Sequence, residues 1–344
     1  MILVTGGTGL VGAHLLLNLT QQDSAVRAIH REGSDLQRVR RIFQQYLPSS
    51  EAARCFSKIQ WMVASMNEVP ALEEAFEGIR KVYHCAAKVS FDPRNYQELR
   101  KTNIQGTANI VNLCISHGID KLCYTSSVAT LDAGLGEKFI TESSLWKPEL
   151  PHNQYAISKY GAEMEVWRGS QEGVPVVMVN PGVIIGPGIW DSGSGVMFPQ
   201  IFDGLKYSFP KVTGFVGVDD VVRVMIGLMG SDLKNEKFVV VAENRSFEDV
   251  LNLVAASLNK PAPSRQLRPW MIYLGWLYQR SIGRWTSKEQ RLTKNSHKTL
   301  FAESLYSSEK LKQTLGFEFE PLEEVIARTG KIYLNEREEN RGNH

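Results

Sequence analysis

Short apolar runs alternate with amphipathic stretches through the first half of the chain. The runs at 2–5, 25–29, 59–63, 81–84, 121–125 and 174–179 are four to six residues long and apolar at their centres, as buried strands are. Between them, stretches such as 10–19 and 99–115 repeat apolar residues at helical spacing. That rhythm predicts an α/β fold with a mostly parallel, doubly wound sheet covered by helices on both faces. After about Pro181 it weakens. Gly- and Pro-rich loops interrupt 182–199, weak strand patterns recur near 214–218 and 238–241, and the rest is mainly helical. The polar run 335–344 reads as a frayed tail.

Composition excludes more than it selects. The chain has 344 residues, 43% hydrophobic and 22% charged, as expected of one large α/β unit with a smaller appendage. A formal net charge of +2 gives no electrostatic case for nucleic acid or an anionic membrane. Cys55, Cys85, Cys114 and Cys123 show no metal spacing, so no metal is expected, and they read as reduced thiols of a cytoplasmic protein. A first strand beginning at Ile2 leaves no room for a signal peptide. The most membrane-like stretch, 270–278, is far shorter than the ~20 residues of a span.

The candidate chemistry begins where the first strand ends. Thr5-Gly6-Gly7-Thr8-Gly9-Leu10-Val11-Gly12 opens the first helix, the place where glycines permit a tight turn and a helix N-terminus faces a pyrophosphate. The second strand ends in His30-Arg31, with no carboxylate to hold a ribose 2′-hydroxyl. Arg31 can pair with a 2′-phosphate instead, which favours NADP and leaves NAD possible. Ser126 and Ser127 follow the strand at 121–125, on the edge where doubly wound sheets bind ligands.

Tyr155 and Lys159 lie four apart on an uninterrupted helical pattern, which puts them on one face. An ammonium beside a phenol favours phenolate, so the pair is expected to lower the tyrosine pKa from about 10 and transfer protons. Two other pairs share the spacing. Tyr207 and Lys211 enclose Pro210, and Tyr306 precedes Ser307 and Ser308, which read as helix-capping residues.

These motifs together resemble the extended short-chain dehydrogenase/reductases of the NAD-dependent epimerase/dehydratase superfamily. Further likeness comes from His84-Cys85-Ala86-Ala87, Lys101-Thr102-Asn103-Ile104-Gln105-Gly106-Thr107, Asn180-Pro181-Gly182 and Val218-Asp219-Asp220-Val221, with Leu315-Gly316-Phe317 and Pro321-Leu322-Glu323-Glu324 near the end. The resemblance implies Ser127, Tyr155 and Lys159 as a catalytic triad, with Asn103 supporting its proton relay. It also implies a cofactor held by Gly6, Thr8, Gly9, Leu10, Val11, Gly12, Arg31, Ala86, Ala87, Tyr155, Lys159, Pro181 and Val183. A Rossmann-type domain would then span 1–180, with a later return to it near 214–242. The segments 181–213 and 243–334 would form the substrate-binding region, and helices starting near Leu99 and Asn153 would pair in a homodimer.

Members acting on nucleotide sugars usually carry an arginine and an asparagine after the sixth strand, where this chain reads Asn180-Pro181-Gly182-Val183-Ile184-Ile185-Gly186. Thr213 stands where a second arginine is frequent. A buried diphosphate without cations would be costly. The motifs are closer to dihydroflavonol 4-reductase-like and 3β-hydroxysteroid dehydrogenase-like members, so an NADP(H)-dependent oxidoreductase interconverting a secondary alcohol and a ketone on an apolar small molecule is expected. Two rivals remain: a nucleotide-sugar epimerase or dehydratase, and a non-catalytic NADP-binding sensor. The acidic residue frequent after the third strand is missing from Ala64-Ser65-Met66-Asn67. His84 reads as a packed strand-end residue, and Asp219 and Asp220 as helix N-cap chemistry. The aromatics Trp270, Tyr273, Trp276, Tyr278 and Trp285 read as core or interface, with an apolar pocket as the alternative.

Overall fold

A computed structural model of the chain describes residues 1–282 and 296–342. In chain order its strands begin β1 (Ile2–Thr5), β2 (Val26–His30), β3 (Ile59–Val63), β4 (Lys81–His84), β5 (Lys121–Thr125) and β6 (Val176–Pro181). They continue as β7 (Val183–Ile185), β8 (Tyr207–Ser208), β9 (Val212–Gly217), β10 (Glu236–Val240), β11 (Glu243–Ser246) and β12 (Arg265–Gln266). Seven strands form one parallel sheet in the order β10-β6-β5-β4-β1-β2-β3.

The strand period of two sorts the core. Val4, Cys123, Val177 and Val179 face one helical layer, with the helices Leu10–Gln21 and Val218–Gly230. Their neighbours Leu3, Leu122, Tyr124, Val176 and Met178 face the other, with Gly106–Ser116 and Gln154–Gln171. Both faces are dry, which is why these strands read as apolar runs rather than alternating ones.

From β1 the chain winds outward through β2 and β3, then returns to place β4 on the other side of β1. That reversal opens a crevice at the carboxyl ends of β1 and β4, where such sheets bind ligands. Beyond β6, strands β7, β9 and β11 form a separate small sheet, and β8 pairs with β12. The return to the main sheet is therefore narrower than the reading of 214–242: β10 pairs with β6, whereas β9 belongs to the small sheet.

Three expectations change. The pattern at 99–115 is not one α-helix: Arg100–Gln105 is a π-helical segment between Tyr96–Leu99 and Gly106–Ser116. The polar run after residue 334 is not frayed up to residue 342. It completes the helix Leu322–Gly342, where Glu336 accepts hydrogen bonds from Trp190 Nε1 at 2.6 Å and from Gln45. Strands two and six sit at 26–30 and 176–181 instead of 25–29 and 174–179.

Candidate functional site

Gly6 has φ of +71°, and a Cβ there would lie 2.6 Å from the backbone nitrogen of Ala86. Glycine is therefore needed both for the turn and for contact with the loop leaving β4. A Cβ on Gly12 would come within 2.1 Å of the Gly6 carbonyl oxygen. Gly9 occupies the N-cap of the helix Leu10–Gln21, which has no side-chain cap and no acidic residue in its first turn. Its first N–H groups, from Leu10 onward, remain available to an anion and carry the positive end of the helix dipole. Gly6, Thr8, Gly9, Leu10, Val11 and Gly12 thus fit a dinucleotide pyrophosphate.

The loop after β4 is fixed by a buried relay. Ala86 N donates to Thr5 Oγ1 at 3.2 Å, and Thr5 Oγ1 lies 2.6 Å from His84 Nδ1. On its other side, His84 Nε2 faces Thr107 Oγ1 at 2.9 Å, so both ring nitrogens meet buried hydroxyls. Burial, reinforced by the Lys159 charge, pulls the His84 pKa down to about 3. This histidine is a clamp, not a base. It holds Ala86 and Ala87 at the crevice floor.

The helix Gln154–Gln171 starts at Asn153, whose side chain accepts from Ala156 N at 2.8 Å. Tyr155, Lys159 and Glu163 follow at intervals of four, so all three share one face. Lys159 is 2% exposed and donates to Tyr124 Oη and to the Thr125 carbonyl, each at 2.7 Å. Burial draws its pKa down to about 7, opposed chiefly by the Glu163 carboxylate. The Tyr155 phenol is pushed above its usual value by burial, partly offset by the Ser127 hydroxyl. This corrects the expectation of a lysine-lowered phenol. Desolvation dominates, and the phenol in hydrogen-bonding contact with Lys159 is that of Tyr124. A phenol held above 10 is protonated at neutral pH and so equipped to donate.

Asn103 sits on the π-helical segment and is buried. Its Oδ1 accepts from Lys88 N at 2.7 Å, and its Nδ2 donates to the Lys88 carbonyl and to Ser158 Oγ, both at 2.9 Å. Ser158 in turn donates to the Tyr155 carbonyl at 2.8 Å. Irregular helix at a functional position is a recurrent device, and here the wider turn aims Asn103 at the helix that carries Tyr155.

Ser127 caps a short 3₁₀ turn, Val128–Thr130, and its carbonyl accepts from Thr130 Oγ1 at 2.9 Å and Asn180 Nδ2 at 3.1 Å. Pro181 and Val183 flank Gly182, whose Cβ would meet the Gly214 carbonyl at 2.3 Å. Arg31 lies exposed just past β2, and no hydrogen bond or ion pair engages its guanidinium among the described residues.

Several residues were not singled out for the roles they play. Tyr124, Thr5, Thr107 and Ser158 orient the expected set, and Glu163 ties it to the sheet. Thr5 and Thr107 lay inside quoted motifs and Glu163 continues the four-residue spacing, whereas Tyr124 and Ser158 had no such signal. Asp219 and Asp220 are not N-caps, because Gly217 holds that position. They lie in the first turn, where Asp219 accepts from Arg328 at 3.0 Å, and Asp220 pairs with Arg223 and accepts from Glu320 N at 3.1 Å. Trp270, Tyr273 and Tyr278 are exposed rather than core; Trp285 falls outside the described residues.

Comparison with known proteins gives this geometry its lineage. The chain is 28% identical over 336 residues to a putative dihydroflavonol 4-reductase of Synechocystis, covering 94% of this chain and 92% of that protein. It is 27% identical to sterol demethylase protein B of Methylococcus capsulatus, over 78% of this chain and 77% of the other. The UDP-glucose 4-epimerase of Thermotoga maritima, solved with UDP-glucose, superposes with a TM-score of 0.76 at 20% identity, over 97% of this chain and 98% of that one. At that identity it shows the fold alone. Residues 2–241 match the model of the NAD dependent epimerase/dehydratase family. With the glycine loop, β4 loop and Tyr155–Lys159 helix all inside that match, the chain belongs to this family of NAD(P)-dependent enzymes, the extended short-chain dehydrogenase/reductases.

Proposed function

We propose that the protein is an NADP(H)-dependent reductase acting on a ketone of an apolar small molecule, and on the corresponding secondary alcohol in reverse. The observation that carries this reading is Phe91. Its ring is 54% exposed and meets the Tyr155 ring edge-on, with centroids 5.7 Å apart. A substrate oxygen that reaches the Tyr155 hydroxyl brings its carbon skeleton past that phenyl group, which rewards apolar surface. The positions where nucleotide-sugar members carry cations hold Asn180, engaged with Ser127, and Thr213, whose hydroxyl serves Tyr306. The relatives named for dihydroflavonol and sterol chemistry point the same way.

The bound cofactor supplies the hydride. The chain's own groups handle the proton and the geometry: Tyr155 gives its phenolic proton to the carbonyl oxygen, while Ser127 donates a hydrogen bond that orients the same oxygen. Lys159 holds the nicotinamide ribose and stabilises the phenolate left behind. Asn103 fixes the backbone at Tyr155 through Ser158. Arg31, free at the end of β2, pairs with the 2′-phosphate of NADP. The small sheet and C-terminal helices supply the substrate pocket, and the protein works in the cytoplasm. The helices Gly106–Ser116 and Gln154–Gln171, with Met164 39% exposed, form the homodimer face. No helix among the described residues is long and apolar enough to cross a membrane.

Oxidation of NADPH, followed by absorbance with a dihydroflavonol, a 3-ketosteroid and UDP-glucose as probes, tests the reading. Turnover with a ketone probe that is lost in Tyr155→Phe supports it. Tight UDP binding with no ketone turnover restores the nucleotide-sugar reaction. A tenfold preference for NADH, about 1.4 kcal/mol, removes the role of Arg31.

A further inference from the structure

We propose that Glu163 is a positioning residue for the reaction, setting the place of Ser127 and the charge of Lys159 with one carboxylate. The inference rests on the roles given above to Ser127, Tyr155 and Lys159. Glu163 is 1% exposed and gathers donors from four other parts of the fold. Its Oε2 accepts from Ser126 Oγ at 2.7 Å, Thr130 Oγ1 at 2.9 Å and Asn180 Nδ2 at 3.1 Å, and its Oε1 accepts from Lys237 Nζ at 3.2 Å.

Three of these donors also define Ser127. Ser126 precedes it in the chain, Asn180 donates to its carbonyl, and the single Thr130 hydroxyl proton is shared between that carbonyl and Glu163. A charged acceptor strengthens each bond and couples them, so the end of β5, the turn that follows and β6 are drawn to one point. The Ser127 hydroxyl is presented from that point.

The same carboxylate lies one turn beyond Lys159 on the same helix face. Among the described residues the Lys159 ammonium is hydrogen-bonded only to neutral oxygens, those of Tyr124 and the Thr125 carbonyl. The other titratable groups that face it bring no negative charge. Tyr124 on β5 and Tyr155 on its own helix have phenols raised by burial, the Cys85 thiol beyond β4 is pushed up to about 12, and His84 on β4 is neutral. Glu163 is the carboxylate that opposes the burial of this lysine. Lys237, from β10, balances Glu163 without touching the reacting groups.

The alkaline limb of kcat/KM for reduction of the ketone probe separates charge from mere packing. Glu163→Gln keeps the shape and an acceptor oxygen but removes the charge. Its limb should move at least one pH unit lower, because Lys159 gives up its proton sooner. Ser126→Ala removes a hydrogen bond and leaves the charge; kcat should fall while the limb stays. A Glu163→Gln profile that superposes on wild type overturns the proposal, as does a Ser126→Ala shift of equal size. If Glu163→Gln does not fold, Glu163→Asp, which retracts the charge, should show a smaller downward shift, and an unmoved limb there is equally fatal.

A wild type that reduces no ketone probe at any pH removes the functional reading instead. The pH at which NADPH binding is lost, followed by nicotinamide fluorescence, then decides the matter. Glu163→Gln should lower that pH by a similar amount, and an identical binding profile overturns the role of Glu163.

Discussion

Two helices of this protein invert the ordinary rule of burial. Gln154–Gln171 is rich in polar residues, yet Ser158, Lys159 and Glu163 are buried in it. Pro269–Ile282 is rich in Trp, Tyr and Leu, yet Trp270 is 58% exposed, Leu274 54% and Tyr278 68%, while Ile272 is buried. The first helix can bury charge because β5, β6 and β10, with Asn103, supply partners for Ser158, Lys159 and Glu163. The second buries Ile272 and leaves several of its large side chains exposed. Burial follows the supply of partners rather than side-chain polarity. The contrast also separates roles: the polar helix holds chemistry in a fixed geometry, and the aromatic one presents surface.

The largest effect expected from breaking the polar helix is catalytic. Tyr155→Phe deletes the proposed proton donor and should lower kcat by about 10²- to 10⁴-fold at unchanged thermal stability, checked by steady-state kinetics beside a melting curve. An equal loss of stability would make Tyr155 a packing residue and erase the contrast. Glu163→Ala comes next. It leaves Ser126 and the half-buried Lys237 without their carboxylate, weakens the bonds of Thr130 and Asn180, and should cost roughly 3–5 kcal/mol in urea unfolding. A loss under about 1 kcal/mol would mean the network is not satisfied as described.

The polar interior should also make the protein sensitive to acid. His84 has its folded pKa depressed to about 3 from 6.5, so the folded state binds fewer protons than the unfolded one across that interval. Its contribution to stability is present in full above 6.5 and is lost as pH falls toward 3, by up to about 5 kcal/mol at 1.36 kcal/mol per unit. Unfolding measured at pH 7, 5 and 4 should show that decline, and His84→Asn should flatten it. The smallest effect belongs to the aromatic helix. Trp270→Ser and Tyr278→Ser should stay within about 0.5 kcal/mol of wild type, because little contact is lost. A larger loss would place these side chains in an interface of the protein in solution.

The legible parts of the fold were those whose signals are local. Strands β1, β3, β4 and β5 fall where the apolar runs put them, and for β1, β4 and β5 the reason is burial on both faces. The glycine loop was legible because Gly6 and Gly12 answer to backbone contacts a Cβ would destroy. Of the three tyrosine–lysine spacings, two fail in the structure as their context requires: Tyr207 lies in β8, and Tyr306 bridges to Ile140 ahead of the helix Glu309–Leu315. The π-helical turn at Asn103 was not legible, because its periodicity barely differs from that of an α-helix over six residues.

By itself the sequence determined the sheet, the cofactor loop and the helix that carries Tyr155 and Lys159, because strand period, glycine geometry and helical spacing are properties of neighbouring residues. Only the tertiary structure decided what those groups touch. Lys159 meets Tyr124 from 35 positions away, and Glu163 meets Lys237 from 74, because parallel strands separated by whole helices bring their ends to one edge. It also decided their protonation. Burial lowers Lys159 and raises Tyr155, and no spacing of residues along the chain records how much water a fold removes.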